Sequence, residues 1–173
     1  RAYRVLFPDY AEPRDAKEAL FLAGVAYETN RNEVAIEMCQ NTLSKLTSNQ
    51  PRLIAKTVML EALCLEKSGR KISAIPSLLE LIDQSRDIVV VNSAFNILHS
   101  MITPEEKGLT RPYYKKWLAD SAFPNRQLST QFYQILNTSG DDESVIESLK
   151  QFIENHPEHF LARKAKIEIS RLD

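Results

Sequence analysis

The sequence predicts an all-α fold built as a stack of helical hairpins. Three observations predict this fold: a stretch in the middle of the chain is repeated 71 positions later, apolar residues recur at helical spacing, and only four glycines occur in 173 residues. Scarce glycine disfavours the many tight turns of a β-rich protein. A chain of this length can bury one sizeable core, so we expect a single helical repeat domain over residues 1–173.

The repeat consists of residues 65–83, LEKSGRKISAIPSLLELID, and residues 136–154, LNTSGDDESVIESLKQFIE, which are identical at eight of nineteen positions. Gly69 and Gly140 stand between two helical runs, where glycine can adopt the left-handed conformation that ends a helix. After each glycine, apolar residues recur on one helical stripe. In the first copy that stripe is Ile75, Leu78, Leu79 and Ile82. Each copy is therefore predicted to be a helix, a tight turn and a second helix.

Weaker matches extend the repeat along the chain. At an offset of 39 residues Asn30 takes the place of Gly69, and asparagine also tolerates positive φ. Together with a third match at offset 146, the offsets fit steps averaging about 36 residues, the period of helical-hairpin arrays. The predicted units span approximately 14–47, 51–84, a degenerate 87–121 and 125–155, with a capping helix at 158–171.

Helix boundaries follow from residues that start or stop helices. Asp15 and Asp141 are start signals, and prolines at positions 13, 51, 112, 124 and 157 separate the apolar segments. The predicted helices are 14–29, 31–47, 51–67, 71–84, 87–102, 111–121, 125–138, 142–155 and 158–171, with residues 1–7 as the tail of an earlier helix.

Two local features modify this series of helices. Residues 103–106, Thr-Pro-Glu-Glu, have the form of a capping box and predict a short extra helix before Gly108. Pro76 is unusual inside a helix, but if Ser73 is the N-cap the proline falls in the first turn, where its missing N–H has no helical acceptor.

The spacing of small residues resembles that of the tetratricopeptide repeat family over about 120 of the 173 residues. That family places a small residue midway along its first helix, a turn glycine seven residues later and an alanine five residues beyond, as Ala62, Gly69 and Ala74 do here. The first unit fits at the positions 39 residues earlier, whereas Tyr133 and Val145 are bulky in the later unit. The resemblance implies an α-α superhelix, a right-handed solenoid of about nine to ten helices.

The resemblance also implies a binding surface, because the first helix of each hairpin lines the concave face of such a solenoid. Concave faces of this kind bind an extended peptide or a partner helix. The implied function is a non-catalytic protein–protein interaction scaffold without a cofactor. The alternative is a helical superstructure or regulatory domain of a larger enzyme whose catalytic part lies outside this fragment. The implied groove residues are Lys17, Leu20, Tyr27, Lys56, Met59, Leu63 and Glu66.

A second resemblance concerns the compartment. Residues 152–165, FIENHPEHFLARKA, are similar to a junction found in bacterial cell-envelope repeat proteins. This similarity implies a periplasmic or outer-membrane-associated protein that assists assembly of an envelope complex. The sequence opens with Arg1, so we expect a fragment or a processed product, with any signal peptide or lipid anchor upstream. No apolar run reaches the length of a membrane span.

The sequence contains no catalytic or phosphate-binding motif, so it predicts no enzyme. A net charge of −1 supplies no field that would attract nucleic acid, which makes that partner unlikely. A third hypothesis is a nucleic-acid contact through residues 111–117 of the segment RPYYKKWLAD (111–120), where basic and aromatic residues are interleaved. We expect Tyr113 and Trp117 to pack inside the fold instead.

Two further groups of residues have structural interpretations. His156 and His159 could suggest a metal site, but Pro157 separates them and a polar turn between helices is favoured. The acidic residues at 141–143 are predicted to stabilise a helix start rather than to act as acid and base. Cys39 and Cys64 lie in helical segments and are predicted to be buried free thiols.

Overall fold

The computed structural model describes residues 13–103, 106–137 and 141–172, which form nine α-helices and no β-strand. The prediction of an all-α fold is therefore confirmed. The helices are α1 (Ala16–Glu28), α2 (Asn32–Leu43), α3 (Pro51–Lys67), α4 (Lys71–Gln84), α5 (Ile88–Met101), α6 (Lys107–Ala119), α7 (Pro124–Leu136), α8 (Asp142–Asn155) and α9 (Phe160–Leu172).

The chain divides into two compact units at the peptide between Met101 and Ile102. The first unit contains α1 to α5, and the second contains α6 to α9. The division falls inside the stretch 87–121, so the two helices of the predicted degenerate hairpin belong to different compact units. The single repeat domain and the right-handed sense of a solenoid stay predictions.

Helices in the first unit pack in two ways. Each helix contacts the next along the chain, and α3 also contacts both α1 and α5. The first helix of the second predicted hairpin, α3, thus touches the first helices of the hairpins before and after it. In the second unit α6, α7, α8 and α9 also contact their neighbours in sequence, and α7 contacts α9.

Small residues make the close packing of the first unit possible. Ala23, Ala35, Ala62 and Ala74, which the repeat pattern marks as small positions, are fully or almost fully buried. Helix axes can approach closely only where the side chains between them are small. The predicted apolar stripe of α4 is buried as well.

The two turns between paired helices in the first unit have the same geometry. Asn30 has φ 58° and Gly69 has φ 73°, so the prediction of left-handed turn residues is confirmed at both positions. The N–H of Arg31 donates to the carbonyl of Ala26, and the N–H of Arg70 donates to that of Leu65, each at 2.8 Å. The N–H of Asn30 also donates to the carbonyl of Tyr27, and the N–H of Gly69 donates to that of Glu66, so each turn is a Schellman motif. Gly140 lies outside the described residues.

Pro76 departs from its expected position. Helix α4 begins at Lys71 with Arg70 as its N-cap, so Pro76 is the sixth helical residue, and the placement of Ser73 as N-cap is wrong. Proline supplies no N–H to the carbonyl of Ile72, four residues earlier. Ile72 is 60% exposed, so water reaches this turn and lowers the cost of the lost hydrogen bond.

Two other helix boundaries differ from the predicted ones by four residues. Helix α6 begins at Lys107 rather than at residue 111, so Gly108 lies in its first turn. The N–H of Thr103 donates to Glu106 Oε2 at 2.9 Å, which is one half of the predicted capping box. Residues 104 and 105 of the predicted short helix lie outside the described residues, as do residues 1–7. Helix α2 ends at Leu43, and i→i+3 hydrogen bonds carry the chain through Leu46.

Aromatic side chains fill the core of the second unit. Trp117, Phe132 and Tyr133 are fully buried, and the Phe132 ring lies 5.8 Å from that of Phe152. Lys164 Nζ donates a hydrogen bond to Tyr133 Oη at 2.7 Å, and burial lowers the pKa of this lysine. The bulky Tyr133 is therefore accommodated by a polar partner for its hydroxyl.

A buried ion pair connects α6 to α7. Arg126 is 4% exposed, and its guanidinium donates to the carboxylate of Asp120. The same guanidinium lies 4.3 Å from the centre of the Phe123 ring. A buried charge requires such partners because it has lost its hydration.

Both cysteines are buried free thiols, as the sequence predicts. Cys39 lies on α2 and Cys64 on α3, both in the first unit. Burial raises the pKa of the Cys64 thiol to about 11 and also raises the pKa of Cys39. Neither thiol is therefore a nucleophile at neutral pH in the folded protein.

We predict that the first unit loses stability above pH 9. An unfolded thiol ionises near pH 9.0, whereas Cys64 keeps its proton to about pH 11 and Cys39 also titrates late. The folded state binds more protons in this window, so the free energy of unfolding falls by up to about 1.4 kcal/mol per pH unit for each thiol. Hydrogen exchange of α2 and α3 peptides between pH 8 and pH 10.5, corrected for intrinsic exchange, measures the loss.

The double variant Cys39→Ala, Cys64→Ala is the control for this pH dependence. Its stability below pH 9 decreases because two buried side chains become smaller. The thiol-dependent slope above pH 9 disappears in this variant. An equal slope in the wild type and the variant would contradict the assignment.

We predict that Asp120→Ala destabilises the second unit by roughly 3 kcal/mol, because it leaves the buried Arg126 without its carboxylate partner. Urea unfolding followed by fluorescence reports on this unit, since Trp117 is the single tryptophan of the chain. Replacing both partners, as Asp120→Ala with Arg126→Met, should recover more than half of the loss. The solvated pair Arg171–Glu168 provides the comparison: Arg171→Ala changes the free energy of unfolding by less than about 1 kcal/mol. Equal effects of Asp120→Ala and Arg171→Ala would contradict a structural role for the buried pair.

Candidate protein-binding groove

The seven groove residues implied by the sequence lie on two helices that contact each other. Helix α1 carries the first three and helix α3 carries the other four. None of the seven belongs to the buried core. Lys17 and Lys56 are exposed, whereas Leu20, Tyr27, Met59, Leu63 and Glu66 are half-buried.

Their spacing puts the seven residues on one strip of each helix. At 100° per residue, the four residues of α3 fall within a sector of about 80°, and Lys17, Leu20 and Tyr27 occupy the corresponding sector of α1. The other faces of α3 carry its buried residues, among them Ala55, Ala62 and Cys64. We call the exposed strips of α1 and α3 the α1/α3 strip, defined by Lys17, Leu20, Gly24 and Tyr27 together with Arg52, Lys56, Met59, Leu63, Glu66 and Lys67.

A cation–π contact joins the two halves of this strip. Lys67 Nζ of α3 lies 3.7 Å from the centre of the Tyr27 ring of α1. A cation–π contact of this kind stabilises the orientation in which the face of the Tyr27 ring points toward Lys67 on α3. The apolar spacing used to predict the groove does not identify Lys67, because its role depends on the packing of α1 beside α3.

Gly24 leaves open space in the strip. It stands between Leu20 and Tyr27 on α1, and a Cβ added there would contact no atom within 4 Å. Glycine inside a helix lowers the stability of that helix, and at this position no close approach of a neighbouring residue requires its small size. Because Gly24 has no side chain, the surface between Leu20 and Tyr27 is recessed, and a ligand could approach the helix backbone there.

The strip carries more basic than acidic groups. Arg52 forms an ion pair with Asp87 at 3.4 Å, at the start of α5. Within the described residues, Lys17 and Lys56 form no ion pair, so their charges are available to a ligand. Half-buried apolar residues lie between these charges on both helices.

The other candidate sites have structural explanations. In the 111–120 segment Trp117 is fully buried, which confirms its predicted packing, and the Tyr113 ring lies 5.6 Å from it. Lys115 and Lys116 are exposed on other sides of α6. The aromatic and basic side chains therefore do not form one exposed stacking surface.

The polar residues of α8 and its flanking turn pack within the second unit. Asp141 accepts a hydrogen bond from the N–H of Ser144 at 2.8 Å and is the N-cap of α8, as predicted. His156 packs against the ring of Phe152, and His159 packs against that of Phe160. In residues 13–103, 106–137 and 141–172, no group of three or more His, Cys, Asp or Glu side chains is placed to hold a metal ion. No helix in these ranges has both the length and the apolar character of a membrane span.

Comparisons with protein-family models, with curated proteins and with solved structures find no significant match to this chain.

Proposed function

We propose that this protein is a non-catalytic scaffold that binds a peptide or a partner helix on the α1/α3 strip. The observation that carries the proposal is the partial exposure of Leu20, Met59 and Leu63 on two helices in contact. Beside them lie Lys17 and Lys56, which form no ion pair with any described residue. The spacing of these residues matches the concave positions of tetratricopeptide repeats. That resemblance extends the proposal to a solenoid architecture.

The chemistry of the strip indicates the chemistry of its ligand. Half-buried Leu20, Met59 and Leu63 gain burial if an apolar side chain covers them. Lys17 and Lys56 would pair with carboxylates of the ligand. Such pairs determine the orientation of the ligand and its association rate more than its affinity. The favoured ligand is therefore a segment with alternating hydrophobic anchors and acidic residues.

The similarity of residues 152–165 to bacterial cell-envelope junctions adds a compartment to the proposal. In this extension the scaffold assists assembly of a complex at the bacterial envelope. Identification of the captured partner tests this extension separately from binding itself.

The double variant Lys17→Glu, Lys56→Glu should weaken capture of the partner by at least about tenfold, since it reverses both available charges of the strip. The measurement is a quantitative pull-down from extract of the source cells, comparing each captured protein between the variant and the wild type. The control is Lys45→Glu with Lys150→Glu, which makes the same change at exposed lysines outside the strip. Undiminished capture of every partner by the strip variant would rule out this groove.

Substitutions at Gly24 separate helix stability from binding. Gly24→Ala should stabilise α1 by about 1 kcal/mol and leave capture unchanged, because a methyl group meets open space. Gly24→Gln should retain a stable helix but reduce capture, because its side chain occupies the space beside Tyr27. Hydrogen exchange of α1 and the same pull-down provide the two readouts.

Gly108→Gln is the matched control, since Gly108 is also helical and faces open space, but it lies on α6. Wild-type capture by Gly24→Gln would show that the ligand does not cross α1 between Leu20 and Tyr27.

A further inference from the structure

The second unit contains a groove of its own between α7 and α8, with a volume of about 340 Å³. Four side-chain amides line it: Gln131 and Gln134 on α7, and Gln151 and Asn155 on α8. Within each helix the two amides are one turn apart, so both walls present a short row of amides. This groove shares no residue with the α1/α3 strip.

The lining is electrically neutral apart from one histidine. His156 is the single ionisable residue among the side chains that line the groove, and its ring packs 5.1 Å from that of Phe152. Ligands with a high charge, such as phosphates or acidic peptides, would find no counter-charge here. The ligand that fits is polar but uncharged.

Three of the four amides are available for hydrogen bonding. Across the described ranges, the side chains of Gln131, Gln151 and Asn155 form no hydrogen bond with another residue of the chain. Each side-chain amide offers both N–H donors and a carbonyl acceptor. Each main-chain peptide group has one N–H donor and one carbonyl acceptor, which complement the acceptor and donors of a side-chain amide. In an extended segment these main-chain groups point to either side of the chain, toward both walls of the groove. Amides on two facing walls therefore match an extended polypeptide.

The floor of the groove is apolar. Ile135 is half-buried, and Phe152 is 4% exposed, so they form a small apolar patch below the amides. In an extended segment alternate side chains point to opposite faces, so one side chain points down while its neighbours point away. An aliphatic side chain at that position would cover Ile135.

We propose that the α7/α8 groove binds an extended, uncharged peptide segment through its main chain, with one aliphatic side chain on Ile135 and Phe152. A neutral oligosaccharide shares the hydrogen-bonding chemistry, but sugars also pack on exposed aromatic faces. The ring of Phe152 is buried, and His156 covers part of it. The groove thus favours the peptide, and this inference does not depend on binding at the α1/α3 strip.

The test uses the whole chain and an end-capped peptide, acetyl-Ser-Thr-Leu-Thr-Ser-amide, titrated in ¹H–¹⁵N spectra. The side-chain amide signals of Gln131, Gln151 and Asn155 should shift together and saturate. Replacing the central Leu of the peptide with Ser should weaken binding by about tenfold, because the apolar contact is lost. Gln151→Glu with Asn155→Asp should weaken it by at least about tenfold, because two donors become acceptors.

Asn41→Asp with Gln50→Glu is the control, since it makes the same chemical changes at exposed positions of the first unit. The control should bind the peptide as the wild type does. Absence of saturable shifts, or equal binding by the Gln151/Asn155 variant, overturns the proposal. Shifts of the same signals by maltotriose but not by the peptide overturn the assignment to a peptide in favour of a glycan.

Discussion

The close approach of helices across buried alanines is the constraint on which the first unit depends. Ala23, Ala26, Ala35, Ala62 and Ala74 are all at most 2% exposed, so the helix backbones themselves lie near one another. Packing this tight forms many small dispersion contacts, and an added methylene group at these positions would force the helices apart. The same packing brings α1 beside α3 and thereby assembles the α1/α3 strip on the face that the alanines do not occupy.

Local features of the fold could be predicted from the sequence, whereas features that depend on packing could not. The left-handed turns at Asn30 and Gly69 were predictable because positive φ is a property of one residue and its immediate neighbours. The bounds of α4 were predicted as 71–84 and match Lys71–Gln84. The suggested N-cap at Ser73 was wrong, because a solvated turn tolerates Pro76 inside the helix and this solvation is a tertiary property. The start of α6 at Lys107 was missed for a related reason, since Gly108 resembles a helix stop in sequence alone.

The candidate binding surfaces also differ in how far they could be predicted from the sequence. Repeat spacing led to Lys17, Lys56 and their apolar neighbours because these residues recur on corresponding helix faces. The amides of the α7/α8 groove left no such signal, since an exposed glutamine on a helix resembles ordinary solvated surface. Contact between Phe132 and Phe152 brings α7 and α8 together and places residues twenty positions apart on facing walls. Apolar periodicity therefore locates the core, but it does not indicate which polar residues meet above it.

The pairing of charges decides which groups of the α1/α3 strip can select a ligand. Arg52 already interacts with Asp87, and Lys67 lies over Tyr27, so both cations are partly satisfied within the chain. A ligand carboxylate at either position would have to compete with an existing contact. Lys17 and Lys56 have no such competitor among the described residues, and each is followed by half-buried apolar residues on its own helix. Selectivity on this strip should therefore come from the distance between carboxylates and apolar anchors in the ligand, rather than from total charge.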